Sequence, residues 1–402
     1  VEIKDAKKRI EEELNSQRTG CEELLRTNDI LKIGVVGQVK AGKSSFLNSL
    51  IFEGENVLPR ASTPMTAGLT ILQYGEENTF DVEYYNSQEW QSFKDKDIEY
   101  GKHIADARAE NPEATEEELA EGIDEALLVA HELVSKCGRK AESCVQKESK
   151  HDVHPFKSIE DLQNVLETYV GADGIYTPIV KSLTINIHDE RLNGVQVIDT
   201  PGVNDPVVSR EQRTRECLRG CHGVFLLSYS GRFFDQVDVS FLVNRIGEQG
   251  IGTIVVIASK FDSVLQDVGN KYHDDLLGAI NECQRCLRAQ MERNLSTSDF
   301  KGSDPELDFS SGIGFSIAHK EENRLDDTER NVVSQMRRFF PSFFNDSEDC
   351  KSHFNMLSSI DDIRENYLQK TFIDNKKKII EKKLHDYFSG STENIRKKVS
   401  SR

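Results

Sequence analysis

The stretch from Ile33 to Ser45, I-G-V-V-G-Q-V-K-A-G-K-S-S, contains Gly37-x-x-x-x-Gly42-Lys43-Ser44, the spacing of a phosphate-binding loop. The apolar run Leu31 to Val36 precedes it and a helical pattern from Ser44 to Ile51 follows. This is the strand–loop–helix context that the pattern requires. Glycines let a backbone wrap closely around phosphate, with amide N–H groups forming an anion nest. A helix beginning near Lys43 adds its positive dipole end. The loop residues expected to meet a nucleotide are Gly37, Val39, Ala41, Gly42, Lys43, Ser44 and Ser45. Lys43 is expected on the β- and γ-phosphates and Ser44 on Mg²⁺.

The chain has 402 residues, 30% charged and 37% hydrophobic, with a net charge of −18. That length accommodates one large domain with an accessory element. An acidic balance of this size makes nucleic acid an unfavourable partner. No apolar run approaches the ~18 residues of a membrane span. The chain opens on Val1 rather than Met, so a preceding stretch is expected. The eight cysteines are scattered. Cys283-x-x-Cys286 and Cys217/Cys221 with His222 lie in helical patterns, and His151-x-x-His154 stands apart from both. Structural thiols in a reducing cytoplasm are the expectation.

Residues 1–29 carry a narrow apolar stripe at helical spacing and form the first half of an expected helical bundle. Val57 to Gly75 begins as a loop rich in Pro, Ser and Thr and ends in a strand from Thr70 to Tyr74. Such a loop, after a phosphate-binding helix, is where nucleotide switches place a threonine on Mg²⁺ and the γ-phosphate, and Thr63 and Thr66 are both present. Residues 88–180 read as a helical insertion. It holds one long helix from Thr115 to Cys137, a second from Ser158 to Tyr169, and a loop across Arg139 to His154. Leu183 to Ile187 alternates as a strand, Asn193-Gly194 signals a hairpin, and Val195 to Ile198 is the returning strand.

That strand ends in Asp199-Thr200-Pro201-Gly202. A carboxylate at the end of an apolar strand can hold Mg²⁺ through water, and the Gly202 N–H can meet the γ-phosphate. Gly223 to Tyr229 and Thr253 to Ser259 are near-continuous apolar runs, as buried parallel strands are. The second ends in Ser259-Lys260-Phe261-Asp262. The Asp262 carboxylate can accept hydrogen bonds from guanine N1–H and the 2-amino group, both lacking in adenine, while the Lys260 stem covers the purine. Phe315 to Ala318 is the expected last strand, with Ser316 touching the base through its backbone. A long helix from Ser359 closes the chain. Its stripe is expected to pair with residues 1–29.

Phosphate loop, switch threonine, D-T-P-G and S-K-F-D on alternating strands and helices form the motif order of a GTPase. More narrowly, the chain resembles the dynamin superfamily. The resemblance lies in G-Q-V-K-A-G-K-S-S-F-L-N at Gly37 to Asn48, in L-P-R-A-S-T-P-M-T at Leu58 to Thr66, and in S-L-T-I-N-I-H through V-I-D-T-P-G at Ser182 to Gly202. It spans roughly residues 30 to 320. The insertion and the P-M-T switch suggest a bacterial type. Neither a lipid-binding domain nor the long stalk of a classical dynamin is recognisable, which leaves a fragment or a divergent bacterial form.

The resemblance implies an α/β fold, a GTPase domain over 30–345 with a mostly parallel central sheet, and a helical segment over 346–402 that packs with the N-terminal helix. It implies binding of GTP or GDP with Mg²⁺ at Ser44, Thr66 and Asp199, and hydrolysis assisted by Lys43, Thr66 and Gly202. Thr66 is preferred to Thr63 because it holds the family position after L-P-R. A nucleotide-dependent homodimer through the GTPase domain, and a cytoplasmic location peripheral to a membrane or vesicle, are implied by the resemblance only. Two departures stand out. Val39-Lys40 replaces the family's usual polar pair, and guanylate-binding relatives place an arginine finger at the position of Lys40. Val203 stands where small GTPases place a water-orienting glutamine. The main alternative is a regulatory GTPase that switches a protein partner without assembly. An RNA-associated GTPase and a non-catalytic scaffold are the other two.

Overall fold

A computed structural model describes residues 30–58, 69–120, 122–170, 174–200, 218, 220–246, 251, 253–300 and 304–381. The N-terminal segment 1–29, the switch threonines Thr63 and Thr66, and Gly202 with Val203 lie outside the described residues.

Nine strands form one sheet: β1 (Leu31–Gly37), β2 (Leu69–Tyr74), β3 (Thr79–Tyr84), β4 (His151–Pro155), β5 (Val180–Ile187), β6 (Val195–Asp199), β7 (Gly223–Tyr229), β8 (Thr253–Ser259) and β9 (Glu306–Ser310). Their order is β4-β3-β5-β2-β6-β1-β7-β8-β9. The five strands from β6 to β9 are mutually parallel. β2 joins them antiparallel to β6 and carries β5 parallel to itself, while β3 and β4 extend the far edge antiparallel.

The apolar runs of β1, β7 and β8 are buried on both faces, as parallel strands between helical layers must be. Successive side chains alternate between two cores. Val35, Phe225, Leu227 and Ile257 face one core, with Phe46, Leu47 and Leu50 of the helix Lys43–Ile51. Val36, Val224, Leu226 and Val256 face the other, with Leu265, Leu276, Met336 and Phe354.

Several expectations are corrected. β5 and β6 do not form a hairpin, because β2 lies between them. The turn at Asn193-Gly194, with Gly194 at φ +71, instead ends a connection that passes β2. The expected helix from Thr115 to Cys137 is two helices, Glu116–Leu119 and Glu125–Lys136. Gly122 adopts φ +86 between them, and Asp124 caps the restart by accepting from Ala126 N. The expected loop from Arg139 to His154 contains a helical turn, Arg139–Glu142, and the edge strand β4. On β4 an i, i+3 pair faces opposite sides. Accordingly His151 meets Asp81 while His154 meets the Tyr169 hydroxyl, and the two histidines do not converge. Phe315 to Ala318 is not the last strand. It belongs to the helix Gly312–His319, and β9 precedes it.

Phe344, on one side of the expected 345/346 boundary, and Cys350, Phe354 and Leu357, on the other, share the second core. After Ser359 the chain makes one α-turn, Ile360–Ile363, and then a π-helical segment, Arg364–Ile373. This segment lies on the first core, where the Phe372 and Phe225 ring centroids are 5.5 Å apart at 80°. The contact requires a glycine at the start of β7, since a Cβ on Gly223 would run into the Phe372 ring. Gly223→Ala is therefore expected to destabilise the chain by about 1–3 kcal/mol in urea unfolding. Unchanged stability would show that Phe372 is not held there.

Candidate nucleotide site

The site lies along the carboxyl ends of the parallel strands, where open α/β sheets bind ligands. Backbone geometry builds the loop between β1 and the helix Lys43–Ile51. Gly37 pairs with Leu227 of β7, and a Cβ there would collide with the Leu227 carbonyl. Gln38 O accepts from Ala41 N at 3.1 Å, closing a turn. Lys40 at φ +64 sits in the third position of this turn, where glycine or asparagine is usual. Gly42 at φ +87 then starts the helix. A Cβ on Gly42 would touch the Lys260 stem at 3.7 Å. The Lys43 ammonium curls back onto the loop, donating to Gly37 O at 3.0 Å and Gln38 O at 3.3 Å. Val39 and Lys40 are the exposed outer limb.

Beside the loop, β6 brings Asp199 level with Val35 of β1. Thr200 folds over the strand end, its N–H and hydroxyl both donating to Val35 O. Asp199 Oδ1 is buried and has no hydrogen-bond partner among the described residues. Burial pushes the Asp199 carboxyl up to about 6, with the nearby Lys43 charge pulling the other way. A buried, unpartnered carboxylate oxygen near the Lys43 ammonium suits a hydrated divalent cation, so the donors present fit Mg²⁺.

At the other end, Tyr229, Ser259 and Ser310 align across β7, β8 and β9. The Ser259 hydroxyl lies 2.5 Å from Ala41 O and 3.0 Å from Ser228 O, tying the strand end to the phosphate loop. Lys260, at φ +53, turns the chain into the helix Phe261–Val268. Its ammonium lies 5.3 Å from the Tyr229 ring centroid. Burial lowers its proton affinity, Asp262 partly restores it, and Lys40 lowers it further. Asp262 is buried, and burial raises its pKa while the Ser311 hydroxyl, donating at 2.6 Å, opposes the rise.

The structure thus gathers Gly37, Lys40, Lys43, Asp199, Lys260 and Asp262 along one edge. Ser316 is not among them. Its hydroxyl is buried in the helix after β9, bonded to Gly54 O at 3.2 Å and Glu329 at 2.6 Å. Ser311 occupies the strand-end position expected of Ser316, and its Oγ also caps the helix by accepting from Gly314 N. Ser311 and Gln38, whose amide contacts are described below, are the two polar residues of the site that sequence reasoning missed. The signal for Ser311 was the polar Ser310-Ser311-Gly312 step after Leu307-Asp308-Phe309.

The model of the dynamin family matches residues 33–260, from within β1 to the Lys260 turn. The chain belongs to the dynamin family. It is 26% identical over 235 residues to Dynamin-like protein 1 of Campylobacter jejuni, covering 57% of this chain and 27% of that one. It is 33% identical over 239 residues to the bacterial dynamin-like protein of Nostoc punctiforme, covering 60% of this chain and 26% of that one. The chain therefore spans about a quarter of the length of these relatives. A solved structure described as an oligomerised bacterial dynamin pair, in the context of long-range sensing and tethering of membranes, matches over 100% of this chain and 46% of its own. Its TM-score is 0.50 at 18% identity, a likeness of fold.

In this dynamin-family chain the buried Asp199 charge opposes folding in a definite pH window. Its folded pKa lies above the unfolded value, so no penalty exists where both states are protonated. The cost grows as pH rises from about 4 and is complete above about 6. Part of the residue reaches solvent, which reduces the cost. Asp199→Asn is expected to be more stable than wild type by about 1–3 kcal/mol at pH 8 without added metal, and equally stable near pH 3.5. Urea unfolding across that range tests it, and a pH-independent difference would refute the burial assignment.

Proposed function

We propose that this chain binds GTP with Mg²⁺ and hydrolyses it, and that two copies meet across the nucleotide edge. The observation that carries the reading is the spacing of unlike groups along one strand edge. A glycine-wrapped lysine and a sealed carboxylate oxygen lie at one end, and a buried aspartate with a lysine stem beside it lies at the other. That order suits a triphosphate and a guanine held together. Asp262 reads the N1–H and 2-amino donors of guanine, with Ser311 fixing the carboxylate plane. The Lys260 stem walls the base. Lys43 leaves the Gly37 and Gln38 carbonyls to take the β- and γ-phosphates. Ser44, Thr66 and Asp199 would hold Mg²⁺, which neutralises phosphate charge when bound. Thr66 and the Gly202 N–H would report the γ-phosphate to their loops.

Lys40 is proposed as a finger acting in cis on charge that develops during cleavage. Its exposure supports this reading, as does its closeness to Lys260, whose proton affinity its charge lowers. Coupling to the C-terminal segment has a physical route. The Arg364 guanidinium donates to Ser49 O at 2.6 Å and Leu50 O at 3.0 Å, carbonyls in the last turn of the helix that begins at Lys43. Self-association, and a membrane-peripheral role like the tethering ascribed to the bacterial dynamin pair, extend the reading. No described helix is long and apolar enough to cross a membrane.

The deciding experiment is the initial rate of GTP hydrolysis against protein concentration with Mg²⁺ and no lipid. Specific activity should rise with concentration. A flat rate would favour a switch that works without assembly, and binding without turnover would overturn the hydrolase reading. A second test separates charge from strain at position 40. Lys40→Ala and Lys40→Gly should both slow single-turnover hydrolysis, by at least roughly tenfold. Lys40→Gly should be the more stable of the two by roughly 1 kcal/mol, because only it relieves the positive φ. Wild-type hydrolysis in both would remove Lys40 from the mechanism.

A further inference from the structure

Gln38 is the polar residue of the phosphate-loop turn whose side chain turns back onto the protein, while Val39 and Lys40 are exposed and Ala41 is buried in the core. Its amide nitrogen donates to Asp235 Oδ1 at 2.9 Å and Asp238 Oδ1 at 3.0 Å. Its amide oxygen accepts from Arg232 at 3.2 Å. Both N–H groups and the carbonyl are thus engaged, which leaves the glutamine a single orientation.

The far end of this contact is rigid. Asp235 Oδ1 also accepts from Val237 N and Asp238 N, capping the helix Gln236–Phe241. Arg232 bridges to Asp235 Oδ2 at 3.1 Å. Asp238 is 1% exposed, and its Oδ2 accepts from the Ser228 hydroxyl at 2.6 Å. That same Ser228 oxygen accepts from Phe234 N at 2.7 Å. The loop before Asp235 is anchored from outside by the helix Leu276–Ser296, through Gln290 on Phe233 O and Asn294 on Phe234 O.

The turn Gln38–Ala41 is therefore clamped at both ends. The Gln38 amide holds its first residue to the start of the helix Gln236–Phe241, and the Ser259 hydroxyl holds the carbonyl of its last. Between the clamps sits Lys40 in a left-handed conformation that an L side chain adopts at a cost. Such a conformation persists only where the surroundings over-determine it.

We infer that Gln38 is a positioning residue. Through the Asp235–Asp238 pair it holds the Val39–Lys40 limb of the phosphate loop in the conformation that hydrolysis requires, while contributing little to holding the nucleotide. This rests on the GTPase reading above and deepens it. Of the groups assigned to binding the ground state, Lys43, the helix N-terminus and Asp262 lie beyond the turn, Ala41 is held by the Ser259 hydroxyl, and only Val39 lies on the limb that the clamp frees. Loss of the clamp frees only the outer limb, so the effect falls on turnover.

The test uses the full chain. Gln38→Ala is expected to lower kcat by roughly ten- to a hundredfold, as expected for a misplaced catalytic limb. KM for GTP should stay within about threefold of wild type, because ground-state binding is retained. Gln38→Glu sets a third carboxylate against Asp235 and Asp238 and should be at least as slow. Adding Asp235→Asn restores a donor–acceptor pair and keeps a competent helix cap, so the double variant should regain part of the lost kcat. Hydrogen exchange gives a readout independent of turnover. Amides in residues 38–41 should exchange faster in Gln38→Ala, with β8 and Lys43–Ile51 unchanged. Wild-type kcat in Gln38→Ala, or no rescue by Asp235→Asn, would overturn the assignment. If wild type does not hydrolyse GTP, selective loosening of 38–41 still upholds the clamp, and its absence refutes the clamp separately from the GTPase reading.

Discussion

The Ser259 hydroxyl is the contact on which the site depends. One proton is shared between Ala41 O, in the phosphate loop, and Ser228 O, at the end of β7. The next residue, Lys260, leaves the sheet at a positive φ, and its stem lies against Gly42. Ser230 then closes the circuit by donating to Ser259 O at 2.7 Å. Three strand ends that are far apart in sequence are thereby fixed to one another within the length of a side chain. A phosphate site and a base site can read a single ligand only if their separation is constant. Buried hydrogen bonds of this kind enforce it, because breaking one strands a carbonyl away from water.

The same logic holds at the opposite end of the phosphate-loop helix. Ser49 donates to Ser45 O and lies 3.1 Å from Gly312 O, while Arg364 takes the Ser49 and Leu50 carbonyls and lies over the Phe315 ring. The helix thus begins against the nucleotide loop and ends on the C-terminal segment. That segment is π-helical, and its side-chain pairs follow the i, i+5 period: Lys370 with Glu365, Gln369 with Asp374 and Thr371 with Asn366 O. π-helical geometry is rare and often marks functional positions. Here it brings Arg364 to the carbonyls and Phe372 to Gly223 on one connected surface.

What was legible in the sequence was what is local. Gly37, Gly42 and Lys43 declare their conformation through spacing alone. Asp199 ends an apolar strand and Asp262 lies in the first turn of the helix after another, so the strand ends place them. What was not legible depends on distant partners. β4 reads H-D-V-H-P, with no apolar alternation, because it is an edge strand that pairs with β3 about seventy residues earlier. The segment Phe315 to Ala318 is apolar and short, so length and composition do not distinguish strand from helix. It is a helix because Ser311 caps it and Glu329 is buried beneath Ser316 and Lys320. The strand that leads to Ser311, β9, carries Glu306 and Asp308 and so lacked the apolar signature of β7 and β8. The hairpin signal at Asn193-Gly194 described a real turn but could not reveal that β2 inserts between its strands.

Charge bears on how the proposed site would work on this chain. The protein carries a net charge of −18, which at long range repels a nucleoside triphosphate. Beyond about 8 Å that repulsion is screened at physiological ionic strength, and the groups within reach are of the opposite sign. Lys40, Lys43 and Lys260 border one edge, and Lys40 already depresses the proton affinity of Lys260. A polyanion between them relieves that mutual repulsion and brings the charge that would fill the loop of amides. Asp199 is the counterpart. Its buried oxygen, ionised alone, would repel a phosphate, and a divalent cation held there would turn that repulsion into attraction. On the proposed GTPase reading, charge would favour the metal-bound nucleotide over the free one, through one aspartate whose proton affinity burial has raised.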